Sequence, residues 1–295
     1  MKDKDFIIKN GLLCLYNGKD ENIVIPNSVT SICDYAFEGC KGLTSIEIPN
    51  SVISIGTSAF KGCENLSNIK IPNSVTSIGY YAFAYCTRLK NIEIPNSVFK
   101  ICPGTFRFCT NLTSIEIPSS VTYIDTEAFS KCENLMSIEI PNSVKNIGGY
   151  AFEGCEKLKS IKIHNSVTTI SCGAFDGIQP IKRIKRTDGK LIAYKGFNKG
   201  FLRDWTCRGF KYEIGKSYHQ DGKIKCCENG FHACTNPLDV FNYYSGILNG
   251  LHFAEVELSG EMDWVKDKVA ASDIRIIREL TASELADIYN NMEKE

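Results

Sequence analysis

The sequence predicts a strand-rich α/β solenoid of about seven 23-residue repeats, followed by a small α+β domain. The segment Ile-Pro-Asn-Ser-Val begins at Ile25 and recurs with few changes every 23 residues through Ile140. Columns of Val, Ile and Phe keep the same period as far as Phe175. The repeat then stops, and the remaining segment contains both tryptophans. At roughly 150 residues per domain, 295 residues suggest two domains, and we place them at 1–186 and 187–295.

The repeat is the unit of the predicted core. One 23-residue unit cannot bury its own Ile, Val, Phe and Leu side chains, whereas equivalent positions stacked on successive rungs give a continuous core. Isoleucines such as Ile46 and Ile48 alternate with polar residues, as a half-buried strand requires. Proline and asparagine then end that strand. The stretch up to about Gly18 is out of register, and we expect it to cap the first rung.

The unit from Leu43 to Cys63 carries a family resemblance. Its pattern, LTSIEIPNSVTSIGxxAFxGC, resembles the BspA-type leucine-rich repeat, and the similarity spans roughly residues 20–184. The resemblance implies a curved solenoid that binds macromolecules, often as a bacterial or protist surface adhesin.

The hydropathy of the chain predicts where in the cell the protein is located. No run approaches the ~18 apolar residues of a membrane span, and the first residues lack the apolar stretch of a secretory signal. We therefore predict a cytoplasmic protein without a membrane span. A surface adhesin is the alternative, if a leader has been removed.

The cysteines form a ladder. Six of the fourteen share one repeat column, from Cys40 to Cys155, and Cys33 and Cys102 share a second. A metal or redox ladder is one interpretation. We favour packing, because cysteine is a small, readily buried side chain and Ile178 takes the seventh place in the first column.

One column departs from the repeat in a way that suggests binding. It reads Gly39, Gly62, Tyr85, Phe108, Lys131, Gly154 and Gly177. Adjacent aromatics outside the core suit a protein-binding hot spot, and Tyr80 and Tyr81 lie in the same repeat. We predict a partner-binding surface at these four aromatics, although they would equally shield a turn or touch the second domain.

A stripe of carboxylates is the second candidate surface. Glu93, Glu116 and Glu139 occupy one outward column on three consecutive rungs, about 5 Å apart. The stripe suits a basic partner, and ordinary solvated surface is the alternative.

The C-terminal segment is predicted to be α+β. Strands are expected at 191–194, 210–214, 230–233, 252–258 and 268–277, with a helix capped by Asn236 and another opened by the capping box of Thr281 and Glu284. Metal-ligand residue types cluster at Cys226, Cys227, His232 and Cys234. Their spacing is not that of paired zinc ligands, so we favour a structural role over a metal site.

The order of elements in this segment resembles an ADP-ribosyltransferase core. The resemblance rests on Lys195-Gly196, Gly230-Phe231, a helix ending at Tyr244, and a strand with Glu255 and Glu257. It implies an NAD cleft with Lys195 as dinucleotide anchor, Tyr244 as the stacking aromatic, and Glu255 or Glu257 as the carboxylate. The segment also resembles an uncharacterised phage-related domain, which implies no activity.

The balanced charge of the chain argues against a nucleic-acid-binding function. The chain has 34 basic and 34 acidic residues, whereas a dedicated nucleic-acid-binding domain is normally basic. We therefore expect a non-enzymatic scaffold without a cofactor, whose solenoid face recognises a protein partner. The transferase-like module is the alternative.

Overall fold

The computed structural model describes residues 5–164, 166–178, 190–199, 205–207, 210–226, 230–244, 246–247, 251–265 and 268–292. The chain forms two compact units, Met1–Ser160 with Gly173–Gln179, and Ile161–Cys172 with Pro180–Glu295. The predicted boundary near Thr187 falls outside the described residues and stays a prediction.

The repeats form a solenoid of about seven turns with short strands. Their bounds are β1 Phe6–Lys9, β2 Leu12–Tyr16, β3 Asn22–Val24, β4 Ser31–Ile32, β5 Ser45–Glu47, β6 Ser54–Ile55, β7 Asn68–Lys70, β8 Ser77–Ile78, β9 Lys100–Ile101, β10 Tyr123–Ile124, β11 Ser137–Glu139, β12 Asn146–Ile147, β13 Ser160–Lys162 and β14 Thr169–Ile170. Equivalent strands pair in parallel and in register, as in β3 with β5 and in β4 with β6.

A ladder of phenylalanines forms the centre of this core. The rings of Phe37, Phe60, Phe83, Phe106, Phe129, Phe152 and Phe175 are fully buried. Neighbouring rings stack with centroids 4.9 to 5.8 Å apart. Each phenylalanine therefore packs between the phenylalanines of the adjacent rungs, and the prediction of a stacked core is confirmed.

The N-terminal residues cap this ladder, as expected. β1 and β2 form an antiparallel hairpin, and β2 pairs in parallel with β4 of the first repeat. Tyr16 continues the aromatic ladder beyond Phe37 at 5.4 Å, and Phe6 packs on Tyr16 at 5.1 Å. The out-of-register residues thus bury the face that the first rung would otherwise expose.

The cysteine ladder has a specific role in packing. From Cys63 onward, each thiol of this column donates a hydrogen bond to the carbonyl oxygen of the phenylalanine on the preceding rung, which lies 26 residues earlier in the chain. The donors are Cys63, Cys86, Cys109, Cys132 and Cys155, at 3.1 to 3.3 Å. Each of these carbonyls also accepts a backbone amide, as Phe37 does from Cys40 at 3.1 Å, so the thiol adds a second, weak hydrogen bond that an apolar residue could not supply.

Because of these buried thiols, the protein should become less stable at alkaline pH. Burial raises the pKa of both Cys109 and Cys155 to about 12 from the ordinary value of 9.0. The unfolded chain therefore ionises first, and the stability gained from neutral thiols is intact below pH 9 and lost as the pH rises toward 12. Each thiol contributes a slope of up to about 1.4 kcal/mol per pH unit in that window.

Urea unfolding at pH 8 and pH 10.5 measures this effect. The C109A/C155A variant should lose less unfolding free energy between the two pH values than the wild type. The exposed Cys172→Ala variant controls for the loss of a cysteine as such. If the wild type and C109A/C155A lost the same unfolding free energy between the two pH values, the buried thiols would not be the cause of the pH dependence.

The second unit contains a closed antiparallel arrangement of strands. The remaining elements are β15 Leu191–Lys199, β16 Trp205–Cys207, β17 Phe210–Tyr212, β18 Ser217–His219, β19 Phe231–Cys234, β20 Gly246–Ile247, β21 Leu251–Val265, β22 Lys268–Leu280, a 3-10 turn Pro237–Asp239, α1 Val240–Tyr243 and α2 Ala282–Asn291. β15 pairs with β21, β21 with β22, β22 with β19, and β19 again with β15. The prediction of an α+β domain agrees with these elements.

Residues Ile161–Cys172 of the last repeat belong to this second unit. Thr169–Ile170 of β14 pairs antiparallel with β20. The side-chain amide of Asn290, on α2, accepts a hydrogen bond from the Ile161 amide at 2.7 Å and donates one back to the Ile161 carbonyl. Asn290 thereby satisfies the backbone of β13 as a neighbouring strand would.

The helix caps predicted for this unit are present in the structure. Asn236 accepts a hydrogen bond from the Leu238 amide at the start of the 3-10 turn. Thr281 and Glu284 form the predicted capping box at the start of α2. The long hairpin of β21 and β22 extends beyond the predicted strands, because β-bulges at Glu255 and at Ser259–Met262 let the pairing continue past local irregularities.

Candidate partner-binding surface

Tyr85 and Phe108 occupy a left-handed backbone position. All seven residues of their column have positive φ angles, between 58° and 72°. Four of the seven are glycines, which adopt this conformation without steric cost, whereas a residue with a Cβ is strained by about 1 kcal/mol. Tyr85 and Phe108 therefore occupy positions where glycine would suit the backbone better.

The two aromatic side chains form one stacked unit, hereafter the aromatic pair. The rings of Tyr85 and Phe108 are 4.7 Å apart and nearly parallel, with an interplanar angle of 9°. Tyr85 is 39% exposed, and Phe108 is half-buried. The guanidinium carbon of Arg107 lies 5.2 Å from the centroid of the Phe108 ring, within cation–π range. The pair thus presents an apolar surface outside the phenylalanine ladder.

Charged pairs lie on the rungs around the aromatic pair. Arg107 bonds Glu127 at 3.3 Å, and Lys131, from the same column as the aromatic pair, lies 3.9 Å from Glu153. On the preceding side, Lys61 bonds Glu38 at 2.9 Å. An apolar centre with charged residues around it is the usual organisation of a protein interface.

Arg107 contributes to this surface although the repeat pattern did not single it out. Its column reads Glu38, Lys61, Ala84, Arg107, Ser130, Glu153 and Asp176. Its column neighbours are Ala84 and Ser130, and its ion pair is with Glu127 in another column. The readable signal was therefore an arginine beside an unusual aromatic column, which indicates a cation–π contact.

Tyr80 and Tyr81 have different environments. Tyr80 is 50% exposed. Tyr81 is half-buried at a second left-handed position, with φ 54°, and its ring lies where a Cβ on Gly104 would stand. Tyr150 lies against Gly173 in the same way. This recurrence favours packing for Tyr81, whereas Tyr80 is accessible to a partner.

The acidic stripe is exposed and belongs to another segment of the repeat. Glu93, Glu116 and Glu139 are all solvent-exposed, and Glu93 pairs with Glu116 through a parallel β-bridge. They precede the proline turn, whereas the aromatic pair follows the buried phenylalanine. The structure thus brings Tyr85 and Phe108 together but leaves the glutamates as a separate stripe.

The residues of the transferase resemblance lie on opposite faces of β15. Lys195 is only 2% exposed, and its ammonium donates to the His232 carbonyl at 2.7 Å and lies 5.6 Å from the Phe197 ring centroid. Its strand neighbours Ala193 and Phe197 belong to the core cluster. The Tyr244 ring, in contrast, occupies the space where a Cβ on Gly196 would stand. Because successive side chains alternate across a strand, Lys195 and Tyr244 point to opposite faces.

The two candidate carboxylates have basic partners. Glu255 accepts a hydrogen bond from Arg278 at 2.6 Å, and Glu257 one from Lys190 at 2.9 Å. Burial, reinforced by the charge of Glu255, raises the pKa of Tyr194 to about 12. Tyr194 lies opposite Glu255 in the ladder and two residues from Gly196, so Glu255 shares a face with Tyr244. Lys195 does not join them.

The metal-ligand residue types lie on and near β19. Cys226 and Cys234 are buried, His232 is half-buried, and Cys227 lies outside the described residues. Cys226 packs with Ile224 and Ala270, and its amide donates to Asp263 at 2.7 Å. Within the described part of the chain, no three His, Cys, Asp or Glu side chains are placed to hold a metal ion. The structural role predicted for these residues stays a prediction, with a metal site as its alternative.

Comparison with known families agrees with the repeat. The family model described as BspA type leucine rich repeat region, in six copies, matches residues 11–135 and 100–217. A domain of unknown function, DUF7666, matches residues 191–288. None of the curated proteins compared with the chain matches it. No helix among the described residues is long and apolar enough to cross a bilayer.

Solved structures of bacterial leucine-rich repeat proteins are similar to this chain. A T. pallidum leucine-rich repeat protein is 29% identical, with a TM-score of 0.56 over 61% of this chain and 90% of its own. A Eubacterium ventriosum protein is 30% identical, with a TM-score of 0.54 over 67% and 51%. A Bacteroides ovatus protein is 33% identical, with a TM-score of 0.53 over 58% and 50%. This chain covers about half the length of the Eubacterium ventriosum and Bacteroides ovatus proteins.

The repeat period, the stacked core and the family match agree with one another. A leucine-rich repeat scaffold of this kind is typical of protein-binding or surface proteins. The chain belongs to the BspA-type leucine-rich repeat family and carries a DUF7666 domain in its C-terminal part.

Proposed function

We propose that this protein is a non-enzymatic scaffold that binds a protein partner through the aromatic pair Tyr85–Phe108. The observation that carries the proposal is the placement of two stacked aromatics at left-handed positions that glycine fills on four other rungs. Backbone strain that does not serve stability is a common mark of a functional position.

The core does not require these two side chains. The phenylalanine ladder passes through the same rungs at Phe83 and Phe106, which are fully buried. Rungs with Gly39, Gly62, Gly154 and Gly177 form the same turn without an aromatic. The aromatic pair is therefore dispensable for the fold.

The chemistry of the pair suits a protein surface. Tyrosine, phenylalanine and arginine provide much of the binding energy at protein interfaces, because each offers a large contact area. The parallel ladders of the solenoid also hold the two rings in a fixed arrangement, which lowers the entropic cost of binding. We propose the exposed Tyr80 as a further contact residue, and the acidic stripe as a second contact region for a basic segment of the partner.

We also place the scaffold in the cytoplasm. The buried repeat thiols serve as hydrogen-bond donors, a role that needs them reduced, and free thiols persist in reducing compartments. Fractionation of cells that express the native protein tests this placement, and recovery at the cell surface would support the adhesin alternative instead.

The buried position of Lys195 bears on the transferase alternative. An NAD anchor has to reach the same cleft as the stacking aromatic, whereas the Lys195 ammonium bonds the His232 carbonyl on the core side of β15. We therefore favour the binding scaffold over an enzyme.

The Y85G/F108G variant tests the proposal. Glycine relieves the left-handed strain but makes the unfolded chain more flexible, so the free energy of unfolding should stay within about 1 kcal/mol of wild type. Loss of a hot-spot aromatic weakens binding by about 2 kcal/mol or more, roughly thirty-fold in Kd. The immobilised full chain captures partners from a lysate, and calorimetry with the purified partner then gives Kd for each variant.

Lys131→Gly is the matched control. It lies one rung beyond Phe108 in the same column and has the same backbone conformation, so K131G relieves the same strain without removing an aromatic. Because Lys131 belongs to the charged edge of the surface, K131G should change Kd far less than Y85G/F108G does. Unchanged Kd in Y85G/F108G would show that the aromatic pair does not bind the partner, and unfolding of that variant would show that the pair is structural.

A further inference from the structure

Two cysteines face each other where the N-terminal hairpin joins the first repeat. β2 and β4 run in parallel with Leu12 opposite Ser31 and Leu13 opposite Ile32. The Cys33 amide donates to the Leu13 carbonyl at 2.9 Å, so the ladder continues past the end of β4. The next residues in this register are Cys14 and Cys33. Cys14 belongs to the cap, outside every repeat column.

The register places the two thiols next to each other. Burial raises the pKa of Cys33, and the neighbouring Cys14 thiol raises it further. Neighbouring parallel strands are about 5 Å apart, and disulfides join residues whose Cα atoms are about 4.4–6.8 Å apart. Cys14 and Cys33 are both half-buried, which leaves the sulfurs accessible to a small reagent.

The pair is separated from the other repeat thiols. The next residue in the Cys33 column is Gly56, and the one after it is Gly79. From Cys63 onward the thiols of the main ladder are buried and donate to phenylalanine carbonyls. Cys14 is therefore the cysteine that lies beside Cys33 in the strand register.

We propose that Cys14 and Cys33 are a redox-active pair that closes to a disulfide and fastens the cap to the first repeat. The oxidant is a small-molecule disulfide of the glutathione class. The thiolate of one cysteine attacks a sulfur of the oxidant, forms a mixed disulfide and releases one small thiol. The thiolate of the other attacks the protein sulfur of that mixed disulfide and releases the second small thiol. Two protein thiols are oxidised, and one small disulfide is reduced to two thiols.

The cross-link would act on the end of the solenoid. In the cap, Phe6 and Tyr16 cover the end of the phenylalanine ladder. Closing the loop between residues 14 and 33 restricts the unfolded chain, so the oxidised cap should open less often than the reduced cap.

Titration of the full chain with oxidised glutathione, followed by acid quench and mass spectrometry, tests the proposal. In the wild type, the Cys14–Cys33 cross-link should remove two hydrogens, in addition to the mass that glutathione adds at Cys172, and proteolysis should give one linked peptide pair. Cleavage after Lys19 separates Cys14 from Cys33, and cleavage after Glu38 separates Cys33 from Cys40. The linked peptides should contain Cys14 and Cys33, and amides of β1 and β2 should exchange hydrogen more slowly in the oxidised protein.

Three variants complete the experiment. C14S and C33S should each stop at a mixed disulfide, with no cross-link. Cys102→Ser is the matched control, because Cys102 shares the Cys33 column but has Gly79 and Asp125 as its column neighbours; C102S should cross-link as the wild type does. Glutathionylation of the exposed Cys172 shows that the oxidant is active. A cross-link between other cysteines, or none when Cys172 is modified, would overturn the proposal.

Discussion

Phe129→Ala should destabilise the solenoid by about 3–5 kcal/mol, the cost of truncating a buried phenylalanine. Phe129 is fully buried and stacks on Phe106 at 5.4 Å and on Phe152 at 5.3 Å. Alanine would remove the ring from the middle of the ladder and leave a cavity between two rungs. Because each rung packs mainly on its neighbours, the loss falls on both adjacent interfaces. Urea unfolding followed by circular dichroism measures it.

Phe99→Ala is the matched control for this prediction. Phe99 lies in the same solenoid but is 63% exposed, so its truncation removes little buried area and should change the unfolding free energy by less than about 0.5 kcal/mol. Similar losses in F129A and F99A would show that the stacked ladder is not the core.

Gly79→Ala should destabilise the protein by about 1–3 kcal/mol, because the added methyl group overpacks two rungs. A Cβ at Gly79 would lie 2.5 Å from the Gly56 carbonyl carbon and 2.5 Å from the Thr57 amide nitrogen. These are backbone atoms that no rotamer change can move, so β6 and β8 would have to separate. Thermal unfolding of the variant gives the loss as a lower Tm.

Gly42→Ala separates overpacking from the general effect of replacing glycine. A Cβ at Gly42 has no atom within 4 Å, and Gly42 has no positive φ. G42A should therefore equal or exceed the wild type in stability, since alanine restricts the unfolded chain. A destabilised G42A beside a normal G79A would contradict the close approach of the rungs.

The period of the repeat was the most informative feature of the sequence. It predicted the stacked rungs, the buried columns and the N-terminal cap, because stacking buries the Ile, Val and Phe columns together. Helix starts in the C-terminal domain were also predictable, since Asn236, Thr281 and Glu284 act through short-range hydrogen bonds.

Side-chain geometry within the columns could not be predicted. The glycine column identified Tyr85 and Phe108 as unusual, but their stacking depends on a φ angle that the sequence does not state. The cysteine column indicated packing, whereas the bond from each thiol to a phenylalanine carbonyl depends on the offset between rungs. In the second unit, the closed circuit of β15, β21, β22 and β19 rests on long-range pairing, and it places Lys195 in the core.

Site-specific photocrosslinking tests the central claim most directly. A photoreactive phenylalanine analogue replaces Tyr85 in one protein and Tyr150 in another. Tyr150 is also an exposed tyrosine at a left-handed position, with φ 56°, but lies against Gly173 rather than in the aromatic pair. We expect crosslinks to a protein partner from position 85 and none from position 150. Equal crosslinking from both positions, or crosslinking from position 150 alone, would contradict the assignment of the aromatic pair as the binding surface.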